Sequence, residues 1–347
     1  MIFLTQRSVP LYNKNNAIRL AIKMFWNMLR QNVLVFIIAL LFWSCNNDSQ
    51  LEEDISNIPV KVEVERFDMA MERAEPKDLP KLKSAFPFLF SKRVNDSVWI
   101  NRITDTLQDE LLYEVVSAYK DFSDVENDIK RLFQHIKYYD NTFREPRVIT
   151  LTNDVAYRDK TIVTDTIVLI ALDNYLGKDH RFYQNIPRYI TANMQSANIV
   201  SDLAEGFAKK YVFQSKRRNF LDEMIYHGKL LYFKDAVIPF IKDYNKIGYT
   251  PEQLKWAQAN ESAIWSYFVE RELLYSTDRK LSNRFIADAP FSKFYLELDN
   301  ESPGRLGQYI GWQIVRAYAL RTDDDLLTIL QKNPEEIFIK SKFKPKK

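Results

Sequence analysis

The sequence predicts a helix-rich α+β fold with a small β-sheet. Val60, Val62 and Val64 alternate with charged residues in a stretch that ends near Phe67, which is the period of a half-buried strand. Much longer stretches place apolar residues three and four positions apart, which is typical of amphipathic helices. The chain has only 7 glycines but 19 tyrosines and 23 phenylalanines, so we expect helices that pack through bulky side chains.

The first 44 residues are predicted to be a signal peptide. Val33–Trp43 is an unbroken apolar run preceded by Lys23 and Arg30. A run of this length matches the apolar region of a secretory signal and is too short for a stable bilayer-spanning helix. The lead-in is long, and Met24 and Met28 are alternative starts.

Cys45 is the only cysteine, which excludes an internal disulfide framework. Because it follows the apolar run and Ser44, it is similar to the acceptor of bacterial lipoprotein processing, where the thiol is lipidated and the chain is cut just before it. The alternative is an ordinary signal anchor with an incidental cysteine. Residues 45–57 would then form a lipidated tether. The residue directly after the cysteine is Asn46, whereas an aspartate at this position retains some lipoproteins at the inner membrane. We therefore expect the protein to be anchored in the outer membrane.

Removing the leader changes the charge of the protein. The whole chain has 49 basic and 46 acidic residues, and five of the basic residues but none of the acidic ones precede Cys45. The remainder carries a net charge of about −2. This balance does not favour a nucleic-acid partner.

The rest of the chain divides into an N-terminal strand with helices, residues 58–145, and a core with a C-terminal region, residues 146–347. In the first part, Trp99–Val116 and Val125–Tyr138 have the period of scaffold helices. In the second, Arg147–Leu151 and Thr166–Leu172 are predicted strands, with a turn and a further short strand in Asn153–Thr164.

Asn219–Tyr232 is predicted to be the central helix, with apolar residues at helical spacing. Later in the chain, Thr250 precedes Pro251 and has Gln253 three residues on, which predicts a helix start. That helix is expected to run to about Tyr275 with a break near Asn260. Gly307 and Gly311 lie four residues apart, so on a helix they would form a smooth strip for close packing.

One face of the central helix carries an unusual set of side chains. Asp222, Glu223 and Tyr226 stand at i, i+1 and i+4, the positions at which a zinc peptidase helix carries His, Glu and His. Both imidazoles are missing. The spacing therefore indicates a degenerate metal-site helix.

Six blocks of the sequence together resemble the family of the gliding motility lipoprotein GldB. The blocks are Leu221–Phe233, Ile247–Trp256, Glu261–Leu274, Ala289–Phe294, Ser302–Tyr318 and Ile337–Pro345. The resemblance implies a lipid-anchored envelope protein needed for surface motility and associated with machinery that also exports adhesins. It implies no enzymatic activity.

Sequences of this family also look distantly similar to zincin-like predicted zinc peptidases, which implies a metallopeptidase-type core. In that comparison Asp222 takes the first ligand position, Glu223 the general-base position and Tyr226 the second ligand position. Glu261 falls where a third, glutamate ligand would be. These side chains would bind zinc weakly, because the phenol of Tyr226 must lose its proton before it can coordinate a metal well.

Two other interpretations of these residues are open. Glu223 and His227 lie on one face at i and i+4, and with Asp222 and Glu261 they could hold a hard cation or another divalent metal. Alternatively, Asp222 and Glu223 accept hydrogen bonds from Tyr226, Trp265, Arg305 or Arg316 in a buried network that fixes the fold. The second interpretation implies no metal and no cofactor beyond the lipid on Cys45.

The leading functional hypothesis is an envelope assembly factor that binds other proteins of the motility and secretion machinery and does not catalyse a reaction. The alternative is a metal-dependent peptidase or peptidoglycan hydrolase with an atypical metal site. A solute-binding lipoprotein is disfavoured, because the sequence shows no two similar α/β lobes. The sequence has no Gly-x-Ser-x-Gly elbow and no phosphate-binding glycine loop.

Overall fold

The computed structural model describes residues 50–214, 219–296 and 299–346. The chain divides into two compact units, residues 1–57 and residues 58–347. In the first unit, residues 50–56 form helix α1, in which Ile55 is buried. The predicted signal peptide and the lipidation site at Cys45 lie outside the described residues, so they stay predictions.

The second unit contains a four-stranded mixed sheet in the order β1-β2-β4-β3. The strands are β1 (Val64–Arg66), β2 (Arg147–Leu151), β3 (Thr161–Val163) and β4 (Ile167–Ala171). Strands β1, β2 and β4 are parallel, and β3 is antiparallel to β4. Val64 is paired with Val148, and Val148 with Val168, so the register joins apolar residues across the sheet.

The remaining structure of this unit is mainly helical. Its helices within the described residues are α2 (Phe67–Glu72), α3 (Leu79–Ala85), α4 (Asp96–Ile103), α5 (Thr106–Ala118), α6 (Ser123–Tyr139), α7 (Arg188–Thr191), α8 (Ile199–Tyr211), α9 (Phe220–Val237), α10 (Asp243–Ile247), α11 (Pro251–Ala259), α12 (Glu261–Glu270), α13 (Lys280–Phe285), α14 (Leu306–Ala319), α15 (Leu326–Gln331) and α16 (Pro334–Ser341). Among the described residues, no helix is both long enough and apolar enough to span a bilayer. The predicted helix-rich α+β class is confirmed.

Three apolar clusters hold this unit together, and α9 belongs to two of them. Leu230 and Phe233 pack into a cluster with the sheet, α6 and α8. Phe220 and Met224 pack into a second cluster with α11–α14. The third cluster lies under α2–α5 around Ile149. Helix α9 is therefore the wall shared by the two larger cores, as expected of a helix that is apolar on most faces.

Helices α9 and α14 cross in backbone contact. A Cβ atom on Gly311 would lie 1.8 Å from the carbonyl oxygen of Met224, and one on Gly307 would lie 2.9 Å from the carbonyl oxygen of Phe285. The predicted glycine strip is confirmed, because only residues without a Cβ allow this approach. Gly228, on the α9 side of the crossing, is an equal partner that the sequence did not indicate.

Several predicted boundaries are confirmed and three are wrong, one of them the helix end expected near Tyr275, which lies at Glu270. Thr250 and Gln253 form the expected capping box, and the break at Asn260 separates α11 from α12. The strand predicted over Val60–Phe67 is shorter and begins only at Val64, because the pairing with β2 starts there. It ends at Arg66, whose side chain pairs with the buried Asp68 at the start of α2. The predicted helix Trp99–Val116 is two helices, since Asp105 accepts hydrogen bonds from Leu107 N and Gln108 N and starts a new one.

Candidate functional site

Asp222 is part of the start of helix α9. The Asn219 side chain accepts a hydrogen bond from Asp222 N at 2.8 Å, and Asp222 Oδ2 accepts one from Asn219 N at 3.4 Å. This is a capping box, which satisfies two backbone donors that the helix itself leaves unpaired. The carboxylate that the resemblance places at a first ligand position therefore stabilises the helix terminus.

Glu223 lies in the first turn of α9 beside Asp222, Tyr226 lies on the next turn, and both are half-buried. Tyr226 packs against the cluster formed with the sheet and α8. Burial raises the pKa of the Tyr226 phenol, and the nearby Lys209 only partly opposes this shift. A higher pKa makes the phenolate rarer at neutral pH, so Tyr226 is a weaker metal donor than an ordinary tyrosine.

Glu261 is buried at the start of helix α12 with 2% of its surface exposed. Its Oε2 accepts a hydrogen bond from the Tyr309 hydroxyl at 2.8 Å, and its Oε1 accepts one from Lys346 N at 2.9 Å. The carboxylate therefore joins α12 to α14 and to the C-terminal segment. Both of its oxygens are used in these contacts.

The two predicted supporting arginines bind acids other than Asp222 and Glu223. Arg316 forms a two-point pair with Asp235 at 2.7 and 2.8 Å and also contacts Asp243 at 2.9 Å. Arg305 donates to the carbonyl oxygen of Gly248. Arg316 thus belongs to a network around Asp235 at the C-terminal end of α9, which is a different network from the predicted one around Asp222 and Glu223. The predicted partners of both arginines are wrong.

The predicted site positions are not brought together. Within residues 50–214, 219–296 and 299–346, no group of three His, Cys, Asp or Glu side chains could hold a metal ion. The alternative set of Asp222, Glu223, His227 and Glu261 is therefore not assembled as one cation site. The zincin-like core stays a prediction.

A polar cleft of about 720 Å³ lies beside α9 and was not predicted. We call it the α8–α9 cleft; it is lined by residues from segments 157–160, 187–205, 227–234, 245–248, 282–288 and 305–308. The half-buried side chains of Tyr157, Tyr189 and Ile190 supply its accessible apolar lining, which we call the floor, whereas Leu230, Leu231, Ile247 and Ile286 are almost fully buried. Its volume is within the range of small-ligand and peptide sites.

Ion pairs brace the walls of the α8–α9 cleft. Lys234, whose side chain is 4% exposed, donates to Glu205 at 3.1 Å and to the carbonyl oxygen of Lys246 at 2.9 Å. Burial opposes ionisation of Glu205, but Lys234 and Lys209 outweigh it and hold the pKa of this carboxyl well below its usual range. Glu205 is therefore charged at any physiological pH and links α8 to α9.

A second pair lies nearby on the same side of the cleft. Lys160 contacts Asp202 at 2.6 Å, and the same carboxylate accepts a hydrogen bond from the Tyr175 hydroxyl at 2.8 Å. These contacts fix the segment after β2 against helix α8. The cleft wall is thus held in place by charged side chains that already have partners.

His227 lines the cleft and is held neutral. Burial lowers the pKa of its imidazole to about 4, while Glu205 acts in the opposite direction and Lys209 adds to the lowering. Neither ring nitrogen of His227 has a hydrogen-bond partner among the described residues. At neutral pH this ring can offer one donor and one acceptor to a molecule in the cleft.

Asn198 also has unused hydrogen-bonding capacity. It is 5% exposed, it lines the cleft, and the only hydrogen bond of its side chain to a described residue is a long one of 3.5 Å from Nδ2 to Asn193 Oδ1. Its carbonyl oxygen accepts no hydrogen bond within the described part of the chain. That oxygen is not one of the buried unpaired atoms of the described residues, so it is in contact with solvent and is open to a polar ligand.

The cleft carries an excess of positive charge. Five basic side chains line it (Arg158, Lys160, Lys234, Lys246 and Arg305) against three acidic ones (Asp202, Glu205 and Asp288). An adjoining cavity of about 380 Å³ shares four of these residues and adds Lys209 and Lys210. Most of these bases are offset by acids, since Lys246 pairs with Asp235 and Asp243, and Lys210 pairs with Asp165. The exposed guanidinium of Arg158 has no partner among the described residues, and such a cation attracts ligands of the opposite sign.

One sequence signal could have located this cleft. His227, Leu230, Leu231 and Lys234 fall at i, i+3, i+4 and i+7 of α9, so they share one face. A lysine that ends an otherwise apolar helical face needs either solvent or a buried acid. The segments that supply the other walls are distant in sequence, and no pattern joins them.

No curated protein and no solved structure matches this chain. The family model of the gliding motility protein GldB matches residues 48–345. That range covers the sheet, the helices and the α8–α9 cleft, and the chain therefore belongs to the family of the gliding motility protein GldB.

Proposed function

We propose that this chain is a lipid-anchored component of the cell envelope, in the outer membrane, that supports gliding motility by binding another protein of the machinery in the α8–α9 cleft. It acts without catalysing a reaction. Membership of the gliding motility family supports the process. The unpaired groups of His227 and Asn198, which line a braced polar cleft, support binding as the mode of action.

The side chains at the peptidase positions have other tasks. Asp222 caps α9, and Glu261 accepts hydrogen bonds from the Tyr309 hydroxyl and the Lys346 amide. Tyr226 has a raised pKa. Zinc hydrolysis needs three good donors and an open position for water, and these residues are committed to the fold.

The binding proposal can be tested by filling the cleft from two lining positions on different helices. His227→Trp and Ser282→Trp each place an indole in it, and Val98→Trp places one on the exposed face of α4 as the matched control. We expect both cleft variants to lose gliding and co-purification of the partner at normal protein levels, and the control to keep both. Normal gliding of both cleft variants would contradict the proposal.

Catalysis and binding differ in what they predict for Glu223. Glu223→Gln removes a general base but changes little in shape, so we expect cells with this variant to glide normally. Metal analysis of the purified chain gives a second readout. Stoichiometric metal that is lost in the Asp222→Ala, Glu223→Ala double variant would support the hydrolase instead.

The anchor has its own test. If Cys45 carries the lipid, Cys45→Ala should release the protein from the membrane fraction and abolish gliding. Separation of inner and outer membranes by density should find the wild-type chain in the outer-membrane fraction. Unchanged fractionation of the variant would contradict lipidation.

A further inference from the structure

We propose that the ligand of the α8–α9 cleft is an acidic segment of a partner polypeptide, with carboxylates bound at the basic wall and the peptide backbone bound by Asn198 and His227. The inference rests on the proposed function in using the same cleft, and it adds the chemical class of what enters. It follows from the charge of the walls, the floor and the unpaired polar groups.

Arg158 gives the cleft an unpaired positive charge that favours an anion. The mature chain is slightly acidic, whereas the cleft lining has two more basic than acidic side chains and the adjoining cavity adds Lys209 and Lys210. Most of the basic groups are already paired inside the protein. Arg158 is exposed and has no partner among the described residues, so its guanidinium can pair with a carboxylate of a ligand in the two-point geometry that arginine favours.

The floor of the cleft argues for a peptide over a simple anion. Tyr157, Tyr189 and Ile190 line the cleft and are only half-buried, and a bare phosphate would leave this apolar surface uncovered. A peptide with alternating acidic and apolar side chains places carboxylates at the walls and apolar groups on the floor. Its successive side chains point to opposite sides when the backbone is extended.

Asn198 and His227 provide the contacts that a peptide backbone needs. An amide offers a donor and an acceptor together, and a neutral imidazole does the same on its two nitrogens. Backbone hydrogen bonds of this kind give affinity without dependence on side-chain sequence, while the basic wall selects acidic side chains. Arg305 is held by Gly248 and lies 3.5 Å from Asp288, so it contributes positive potential from a fixed position.

The test measures peptide binding to the full-length chain in detergent. The probe is a blocked pentapeptide of alternating glutamate and leucine, and its counterpart carries glutamine in place of glutamate. We expect saturable binding of the acidic peptide that weakens at least tenfold in the glutamine peptide and weakens further as salt rises. Equal binding of the two peptides, or no saturation up to about 1 mM, would overturn the proposal.

Two arginine variants locate the interaction. Arg158→Gln should raise the Kd about three- to tenfold, and Arg158→Glu should raise it more. Arg93→Gln removes an equally exposed arginine far along the chain from the cleft segments and should leave the Kd unchanged. An unchanged Kd in both Arg158 variants would refute the basic wall as the binding surface.

The alternative ligands have distinct outcomes. Competition by inorganic phosphate at equal concentration would show a general anion site and refute the peptide assignment. If the indole-filled variants lose gliding while the acidic peptide fails to bind, the cleft functions in motility and only the ligand class is wrong. If the peptide binds but those variants glide normally, the proposed function fails and the site itself stands.

Discussion

A Cβ atom placed on Gly228 of α9 would lie 2.3 Å from the backbone carbonyl of Gly311 on α14, so the two helices touch backbone to backbone. No side chain separates them at this point. The crossing sets the position of α9, and with it the position of His227 and Lys234 in the cleft.

The first prediction concerns this crossing. Gly311→Ala places a methyl group 1.8 Å from the carbonyl oxygen of Met224, so the helices must separate. We expect the free energy of unfolding to fall by roughly 3 kcal/mol or more, measured by urea denaturation. Gly206→Ala is the control, because its methyl group meets only the side chain of Val163. A loss below that of the control would contradict the tight crossing.

The second prediction concerns His227 and pH. Its folded-state pKa of about 4 lies below the 6.5 of an unperturbed histidine. Burial is the main cause, and Lys209 and Arg305 also oppose the imidazolium charge. Glu205 and Asp288 favour that charge but do not outweigh the other groups. The unfolded state therefore binds more protons between these pH values, and stability is lost as the pH falls through this window.

Relative to His227→Gln, the wild type should lose roughly 2 kcal/mol of stability between pH 6.5 and 4.5. Above pH 7 the difference between the two chains should not change with pH. Denaturation midpoints of both chains at several pH values measure this difference in stability. Parallel pH profiles of the two chains would show that His227 is not held neutral.

The third prediction concerns Glu261. Glu261→Ala leaves the Tyr309 hydroxyl and the Lys346 amide without their acceptor, and we expect a loss of roughly 2–3 kcal/mol. Because Tyr309→Phe removes the same contact from the other side, the double variant should be less destabilised than the sum of the single ones. Additive losses would indicate that the two side chains do not interact. Metal analysis separates this structural role from a ligand role. If Glu261 were a metal ligand, the metal content of the purified protein would fall in Glu261→Ala but not in Tyr309→Phe.

The fourth prediction concerns Lys229, which is completely buried and donates to the carbonyl oxygens of Leu330 and Lys332 at the end of α15. Burial lowers the pKa of its amine to about 8. The unfolded chain then binds more protons between pH 8 and 10.5, so stability rises with pH in this range. Relative to Lys229→Met, the wild type should gain roughly 2 kcal/mol from pH 7.5 to pH 10. An unchanged difference would show that the amine reaches solvent.

Local signals in the sequence were reliable where one segment decides its own structure. Strand β2 has the predicted bounds Arg147–Leu151, and the Thr250 capping box and the break at Asn260 are where the pattern placed them. Each depends on neighbouring residues, so periodicity and capping chemistry suffice.

The candidate site could not be predicted in the same way. The spacing of Asp222, Glu223 and Tyr226 predicted a site at the N-terminal turns of α9, but Asp222 caps the helix there. The cleft forms one to three turns further along, and its other walls come from segments before and after α9. Which acid Arg316 would bind depends on the α9–α14 crossing, and that crossing depends on a glycine in each helix.

Strand β1 has a consequence for the order in which this chain can fold. Glu65 pairs in two-point geometry with Arg147, 82 positions later, and the only strand beside β1 in the described sheet is β2. During synthesis the backbone of β1 stays unpaired until the whole of α2–α6, and then β2, has been made. Closure of such a distant pair is slow, so newly made chains are most exposed to proteolysis and aggregation in this interval.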